Sequence, residues 1–247
     1  MKPLSAGRAL VFQHHPDEDP GALGPLLNAA GLAITTVELD QGERIPSLDE
    51  FDLLLAMGGP MDVWQEAEHP WLVAEKEAIR DWVTRLDRPY LGVCLGHQLL
   101  ADALGGAVGP MDEPEIGVVE ISLTSKGLYD PVFGHLPEVL RGLQWHGAAV
   151  ERLPPGGAVL AGNDHCGVQA LRVGERAWGV QFHVEVETST IPKWAVVPEY
   201  EDALARTGSS AARLEKAVEA HLQAMTTAAR TLFQGIVGSI VGVTVSP

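Results

Sequence analysis

The feature that most constrains the fold is Pro89-Tyr-Leu-Gly-Val-Cys94, a strand pattern that runs straight into a helical stretch over residues 95–104. A buried strand that becomes a helix at one residue places that residue at the carboxyl edge of a sheet. Small residues on either side relieve the crowding of so sharp a turn. Gly92 and Gly96 stand two before and two after Cys94. The preceding sequence repeats the alternation. Residues 8–13, 32–39 and 51–57 are short apolar runs that fit buried strands. Helical patterns fill residues 20–30, which open at Asp19-Pro20 and stop at Gly31, and residues 71–86, which follow Pro70. Strand–helix alternation with short connections implies right-handed crossovers and an α/β architecture: three layers, with a mostly parallel sheet between helices. Sites in such sheets gather at the carboxyl ends of the strands, where Gly58-Gly59-Pro60 and Cys94 both fall.

The second half predicts a small antiparallel addition. Residues 115–123, 148–151, 159–161, 167–173 and 177–182 read as short strands, with a hairpin turn at Gly174-Glu175. Residues 202–233 read as mostly helical, broken near Gly208, with Leu214, Val218, His221, Leu222 and Met225 as the buried stripe. The apolar run over residues 232–245 is shorter than the roughly 18 residues of a membrane span, and three glycines interrupt it. It is expected to be a docked terminal segment or a contact between protomers. With 46% hydrophobic and 20% charged residues the composition is that of a globular chain, and no linker or repeat divides it. One domain over residues 1–247 is expected, with a C-terminal helix and apolar tail over about 202–247. A net charge of −16 speaks against nucleic acid or an anionic membrane as partner. Two cysteines make no disulfide framework, and residues 1–8 carry no secretory pattern, so a reducing cytoplasm is expected.

Three segments carry chemistry. At a strand–helix elbow, Cys94 projects clear of the backbone beside the free N–H groups and positive end of the helix that follows. A cysteine nucleophile needs a base to take and return its proton, and that base needs an acid partner to fix its tautomer. Gln181-Phe-His183-Val-Glu185 supplies both, because His183 and Glu185 project to one side of an extended segment. Attack on an amide carbonyl creates an oxyanion, which backbone N–H donors stabilise. The Gly58-Gly59 pair can offer one, and Leu95, next after the cysteine, the other. His14-His15 with Asp17, Glu18 and Asp19 matches no standard metal-ligand spacing and reads as a loop rimming the site. Asp164-His165-Cys166 lacks the elbow and reads as a loop before a strand. No metal and no cofactor is expected, and no phosphate loop or dinucleotide fingerprint is present. Trp64, Trp71 and Trp82 are expected to be core or rim packing.

Leu91-Gly-Val-Cys-Leu-Gly-His-Gln98, Gly58-Gly-Pro60 and Gln181-Phe-His-Val-Glu185, in that relation, resemble the class I (triad) glutamine amidotransferases over roughly residues 8–190. Glu115-Ile-Gly117 and Gln144-Trp-His-Gly147 resemble segments of the stand-alone GMP-synthase-like subgroup. The resemblance implies a flavodoxin-like fold and hydrolysis of the γ-amide of glutamine, or of a γ-glutamyl compound, through a cysteinyl thioester. It implies that Gly58, Gln98, Trp145, His146 and Gly147 hold the substrate. It also implies either a separate synthase that accepts the ammonia or, alternatively, a free-standing γ-glutamyl hydrolase. Two positions depart from the family. Val184 replaces the usual proline, a change that leaves His183 and Glu185 competent. Ala148 replaces an aspartate usual in the subgroup, which widens the expected substrate beyond glutamine. A non-catalytic binding relative is disfavoured by the intact Cys94, His183 and Glu185. The Gly-His-Gln98 and His-x-Glu segments point away from the DJ-1/PfpI-like elbow-cysteine group.

Overall fold

A computed structural model describes residues 7–241. The first half forms β1 (Gly7–Gln13), α1 (Leu23–Ala29), β2 (Leu32–Glu38), β3 (Leu53–Ala56), α2 (Trp71–Asp81), β4 (Tyr90–Val93) and α3 (Leu95–Ala103). The second half forms β5 (Ala107–Leu123), α4 (Ser125–Leu128), β6 (Val139–Arg152), β7 (Gly157–Gly162), β8 (Ala170–Val173) and β9 (Ala177–Val180). It ends with α5 (Thr190–Trp194), α6 (Pro198–Arg206) and α7 (Ala211–Val241). All nine strands join one sheet in the order β2-β1-β3-β4-β9-β8-β7-β5-β6. Pairing is parallel from β2 to β9 and antiparallel from β9 to β6. The architecture is the predicted α/β sheet flanked by helices.

Both faces of β1, β3, β4 and β9 are covered, which is why they read as apolar runs, while the edge strand β2 stays partly exposed. One core holds Val11, Leu55, Val93, Trp178 and Phe233, and the other holds Phe12, Leu54, Ile79, Trp82 and Leu99. A third cluster joins β6 to the C-terminal helices through Trp145, Trp194, Tyr200, Leu214 and Val218.

Four differences from the sequence reading have physical causes. The antiparallel pair β5–β6 is far longer than the short strands expected, because register shifts absorb residues 107–115 (Pro110 among them), which read as loop. The helix after Pro70 keeps its regular hydrogen bonding only to Asp81. It continues as a wider turn over residues 82–86 and ends at Asp87, whose φ is +47°. The glycine-interrupted tail is helical through Val241, burying Leu232, Phe233, Ile236 and Val237 in the first core, while residues 242–245 lie outside the described residues. Gly235 lets this helix approach Val132, whose Cα lies 3.1 Å from where a Cβ would sit. His221 is only half-buried and faces Arg141 at 3.2 Å rather than joining the apolar stripe.

The elbow itself is built on close approach. Gly96 N–H donates to the Met57 carbonyl (3.1 Å), and Cys94 N–H donates to that of Val180 (2.8 Å). A Cβ on Gly96 would collide with the Ala56 carbonyl, and one on Gly92 with backbone of the next turn. Gly96→Ala is therefore predicted to cost about 1–3 kcal/mol or more, read as a lowered urea midpoint at unchanged slope.

Candidate active site

Cys94 is the last residue before α3 and adopts φ +49°, ψ −102°, a conformation rare outside glycine. Such backbone strain, of about 1–3 kcal/mol, persists only where the surroundings over-determine it. Here the two hydrogen bonds that tie Cys94 and Gly96 to β9 and to the end of β3 do so. The side chain is 5% exposed at the floor of a cavity of about 150 Å³.

β9 is the strand beside β4, so the segment leaving its carboxyl end passes next to the elbow. Gln181 sends Nε2 to within 3.5 Å of the Cys94 sulfur. His183 pairs its N–H with the Leu143 carbonyl (2.9 Å) and directs Nδ1 onto Glu185 Oε1 at 2.7 Å. Both side chains are buried. Among the described residues Nε2 of His183 has no hydrogen-bond partner. Burial disfavours charging the ring, but the Glu185 carboxylate, and after it the neighbouring Cys94, raise its pKa well above the ordinary imidazole range. The three residues singled out in the sequence thus converge.

Gly59 lines the cavity, whereas Gly58, expected from the sequence to hold substrate, lies behind it and is not among the lining residues. A Cβ on Gly58 would press on Glu18 and on His183, and one on Gly59 would sit 3.0 Å from Leu95 Cδ2. Among the described residues neither the Gly59 N–H nor the Leu95 N–H has an acceptor. Gln98 turns back beneath the cavity: its Nε2 donates to the Ala148 carbonyl (3.0 Å) and to Gln181 Oε1 (3.1 Å). Trp145, His146, Gly147 and Ala148 form one wall, and Met61, Asp62, Glu199, Tyr200 and Ala203 the rest.

The two subgroup-like segments meet. Glu115 Oε2 lies 3.0 Å from His146 Nε2 and also accepts from Gln169 at 2.6 Å, while Oε1 accepts from Asn163 at 2.7 Å. His146 Nδ1 completes the chain by donating to the Ala148 carbonyl (2.9 Å). Burial raises the Glu115 pKa, but the hydrogen bonds outweigh it and hold the carboxyl below its usual range. Cys166 is near this cluster, close enough in principle to share a metal with Glu115 and His146. However, the Glu115 and His146 donors are engaged in hydrogen bonds, and burial pushes the Cys166 thiol up to about 11, away from the thiolate a metal needs.

Sequence reading missed an inner group: Glu18, Tyr200, Trp194 and Glu75. Glu18, assigned to a rim loop, is 1% exposed, and its Oε1 accepts a hydrogen bond from the Tyr200 hydroxyl. Glu18, His183 and Glu185 each bring a side-chain atom within 4.8 Å of the others. Trp194 packs edge-on against the His183 ring, centroids 4.4 Å apart, and anchors its indole N–H on the Asp17 carbonyl (2.9 Å). Trp82 is core and Trp71 stacks on His14, as packing residues should, whereas Trp64 is 45% exposed.

With this geometry in place the comparisons decide the family. The sequence model described as "Glutamine amidotransferase class-I" matches residues 22–193. The chain belongs to the class I glutamine amidotransferases. Within that family it is 34% identical over 182 residues to YfeJ of Salmonella typhimurium, described as glutamine amidotransferase-like, covering 72% of this chain and 75% of that one. It is 32% identical to a glutamine-hydrolyzing GMP synthase subunit of Sulfolobus acidocaldarius, covering 63% and 79%. A class I glutamine amidotransferase fold is also seen in the crystal structure of a glutamine amidotransferase from Thermotoga maritima (TM-score 0.82, 27% identity, 94% and 98% covered). Another, from Methylobacillus flagellatus, shares the fold at TM-score 0.85 and 24% identity, covering 94% and 95%. Among the described residues no helix is long and apolar enough to cross a membrane.

Glu18 supplies a prediction for this amidotransferase. Burial pushes its carboxyl up to about 7, with Glu185 adding to the rise and His183, Tyr200 and His14 opposing it. A carboxyl whose folded pKa is raised contributes fully at low pH and loses that contribution as it ionises in the folded state. Wild-type stability should therefore fall relative to Glu18→Gln as pH rises from about 4.5 to above 7. Paired urea melts across that window check it.

Proposed function

We propose that this chain is a cysteine-dependent amidase that hydrolyses the γ-amide of glutamine or of a γ-glutamyl compound. The observation that carries the reading is the meeting of a strained elbow cysteine with a buried His183–Glu185 pair at 2.7 Å. In this reading Cys94, His183 and Glu185 are the catalytic residues. Glu185 fixes the imidazole with Nδ1 protonated, leaving Nε2 to accept the Cys94 proton. The thiolate attacks the amide carbon, forming the C–S bond and a tetrahedral oxyanion. The N–H groups of Gly59 and Leu95 form the oxyanion hole, a role supported by their having no other acceptor. The C–N bond then breaks as His183 returns the proton to the nitrogen, so ammonia or an amine leaves. Water, its proton taken by the same Nε2, attacks the thioester and passes through a second oxyanion. Glutamate departs as the C–S bond breaks and Cys94 regains its proton. Trp194 and Tyr200 keep bulk water from the imidazolium that forms in both halves of the cycle.

Gln98, Trp145, His146 and Gly147 are the proposed substrate contacts. The cavity wall carries Asp62 and Glu199 but no lysine or arginine. The substrate's α-ammonium group therefore has carboxylates to face, and its α-carboxylate falls to backbone N–H groups in the region of residues 145–148. We assign the whole chain to one such domain, working in the cytoplasm.

The fate of the nitrogen divides two readings. The GMP synthase relatives are glutamine-hydrolysing by name, which supports ammonia donation to a separate synthase. Ala148 favours a free-standing hydrolase of γ-glutamyl amides, because the aspartate usual in the subgroup is missing from this position of the cavity wall. Purified protein assayed alone against glutamine and a γ-glutamyl amine separates them: turnover of the substituted amide but not of glutamine refutes the donor reading. In either case Cys94→Ala should remove hydrolysis while retaining the wild-type melting curve. Full activity in that variant would refute the mechanism.

A further inference from the structure

The oxyanion donor proposed at Gly59 belongs to a peptide group that can rotate, because both its flanking residues, Gly58 and Gly59, are glycines. The residue before them is fixed: Met57 N–H donates to the Phe12 carbonyl (3.0 Å) and its carbonyl accepts from Gly96 (3.1 Å). Beyond Met57, among the described residues, one hydrogen bond holds the Gly58–Gly59 peptide. His14, at the end of β1, brings Nδ1 to 2.9 Å from the Gly58 carbonyl oxygen. A carbonyl oxygen only accepts, so Nδ1 carries the hydrogen. The other nitrogen, Nε2, lies 2.9 Å from Glu75 Oε1, on α2. Trp71, on the same helix, stacks on the imidazole with centroids 5.4 Å apart and planes 16° from parallel. His14 and Glu75 are both fully enclosed, an arrangement that costs free energy unless each group is paired.

In a trans peptide the C=O and the following N–H point in opposite directions. Holding the Gly58 oxygen toward His14 therefore turns the Gly59 N–H the opposite way. Gly59 borders the cavity that holds Cys94 and Leu95, and His14 is not among the cavity's lining residues.

We propose that His14, held by Glu75 and Trp71, is the positioning residue that preorganises the oxyanion hole by fixing the Gly58–Gly59 peptide. It does not touch the substrate. Burial opposes a charge on His14, but the Glu75 carboxylate and the Gly58 carbonyl outweigh it and raise the ring's pKa. With both ring nitrogens protonated, the imidazolium donates to Glu75 and to Gly58 together. A neutral ring facing an ionised Glu75 would keep its hydrogen on Nε2, present a lone pair to the Gly58 oxygen and push the peptide to flip.

The inference rests on the amidase reading, and the test separates the two. Replacing His14 alone would strand a buried carboxylate, so variants are made with Glu75→Gln. His14→Asn carries an amide N–H donor at the same branch point as Nδ1, whereas His14→Leu carries none. On the γ-glutamyl amide that the wild type hydrolyses, His14→Leu/Glu75→Gln should lower kcat about 10²-fold with little change in KM. It should leave unchanged the rate at which iodoacetamide alkylates Cys94, a displacement with no oxyanion. His14→Asn/Glu75→Gln should recover most of the kcat. An unchanged kcat, a parallel loss of alkylation, or equal loss in the Asn variant overturns the proposal. If the wild type hydrolyses no such amide, the amidase reading fails, and crystal structures still decide the positioning role. A Gly58–Gly59 peptide rotated in the Leu variant supports it, and one left in the wild-type orientation overturns it.

Discussion

Residue 94 turns from strand to helix in a single step, at a φ of +49° that an L-residue adopts only under constraint. The other arrangements around the site follow from supporting that turn. β9 must lie beside β4 to receive the Cys94 N–H, which sends the His183 segment past the sulfur. Met57, just past the end of β3, must receive the Gly96 N–H, which brings Gly58-Gly59 to the same place. Gly92 and Gly96 have no side chains because backbone occupies the space those would need. Cys94, His183 and the Gly58-Gly59 backbone are thus brought together by one feature of the sheet edge.

Placing a chargeable histidine in so enclosed a spot calls for compensating groups, and the molecule supplies them in layers. Glu185 faces Nδ1 of His183 directly. Glu18 lies next to both, tempered by the Tyr200 hydroxyl and by burial that favours its protonated form. Trp194 covers the ring. Tyr200 and Trp194 come from the C-terminal helices, which pack on β6 through Trp145. Residues 190–201, to which the sequence assigned no element, are therefore part of the site's dielectric environment. On the opposite side of Gly58 the buried His14–Glu75 pair repeats the same pattern of imidazole and carboxylate, without a nucleophile beside it.

The legible part of the fold was the part with local signals. Strands β1, β3 and β4 are buried on both faces, so they are unbroken apolar runs, and Gly31, Gly58-Gly59 and Gly105 mark where their neighbours begin or end. Cys94, His183 and Glu185 were legible because an elbow and a His-x-Glu pair are each complete within a few residues. β5 and β6 were legible only over residues 115–123 and 148–151, because Pro110, Gly142 and Gly147 interrupt the alternation that identifies strands in the rest, and only their mutual pairing overrides this. Glu18, Glu75, Trp194 and Tyr200 carry no local signature at all. Glu18 meets Tyr200 across a separation of 182 residues, and it meets His183 from the opposite end of the chain. Glu75 looked like one more charge on an amphipathic helix, and only burial distinguishes it from Glu77.

We propose Cys94 as an acylation nucleophile set to receive a γ-glutamyl group, and Cys166 as a buried thiol without that role. The most direct measurement is intact-mass and peptide mapping of folded protein treated with a glutamine-mimicking diazoketone, with and without excess of the γ-glutamyl amide. A single adduct on Cys94, suppressed by the amide and lost in His183→Ala, is predicted. An adduct on Cys166, or no adduct on protein that melts normally, would contradict the account.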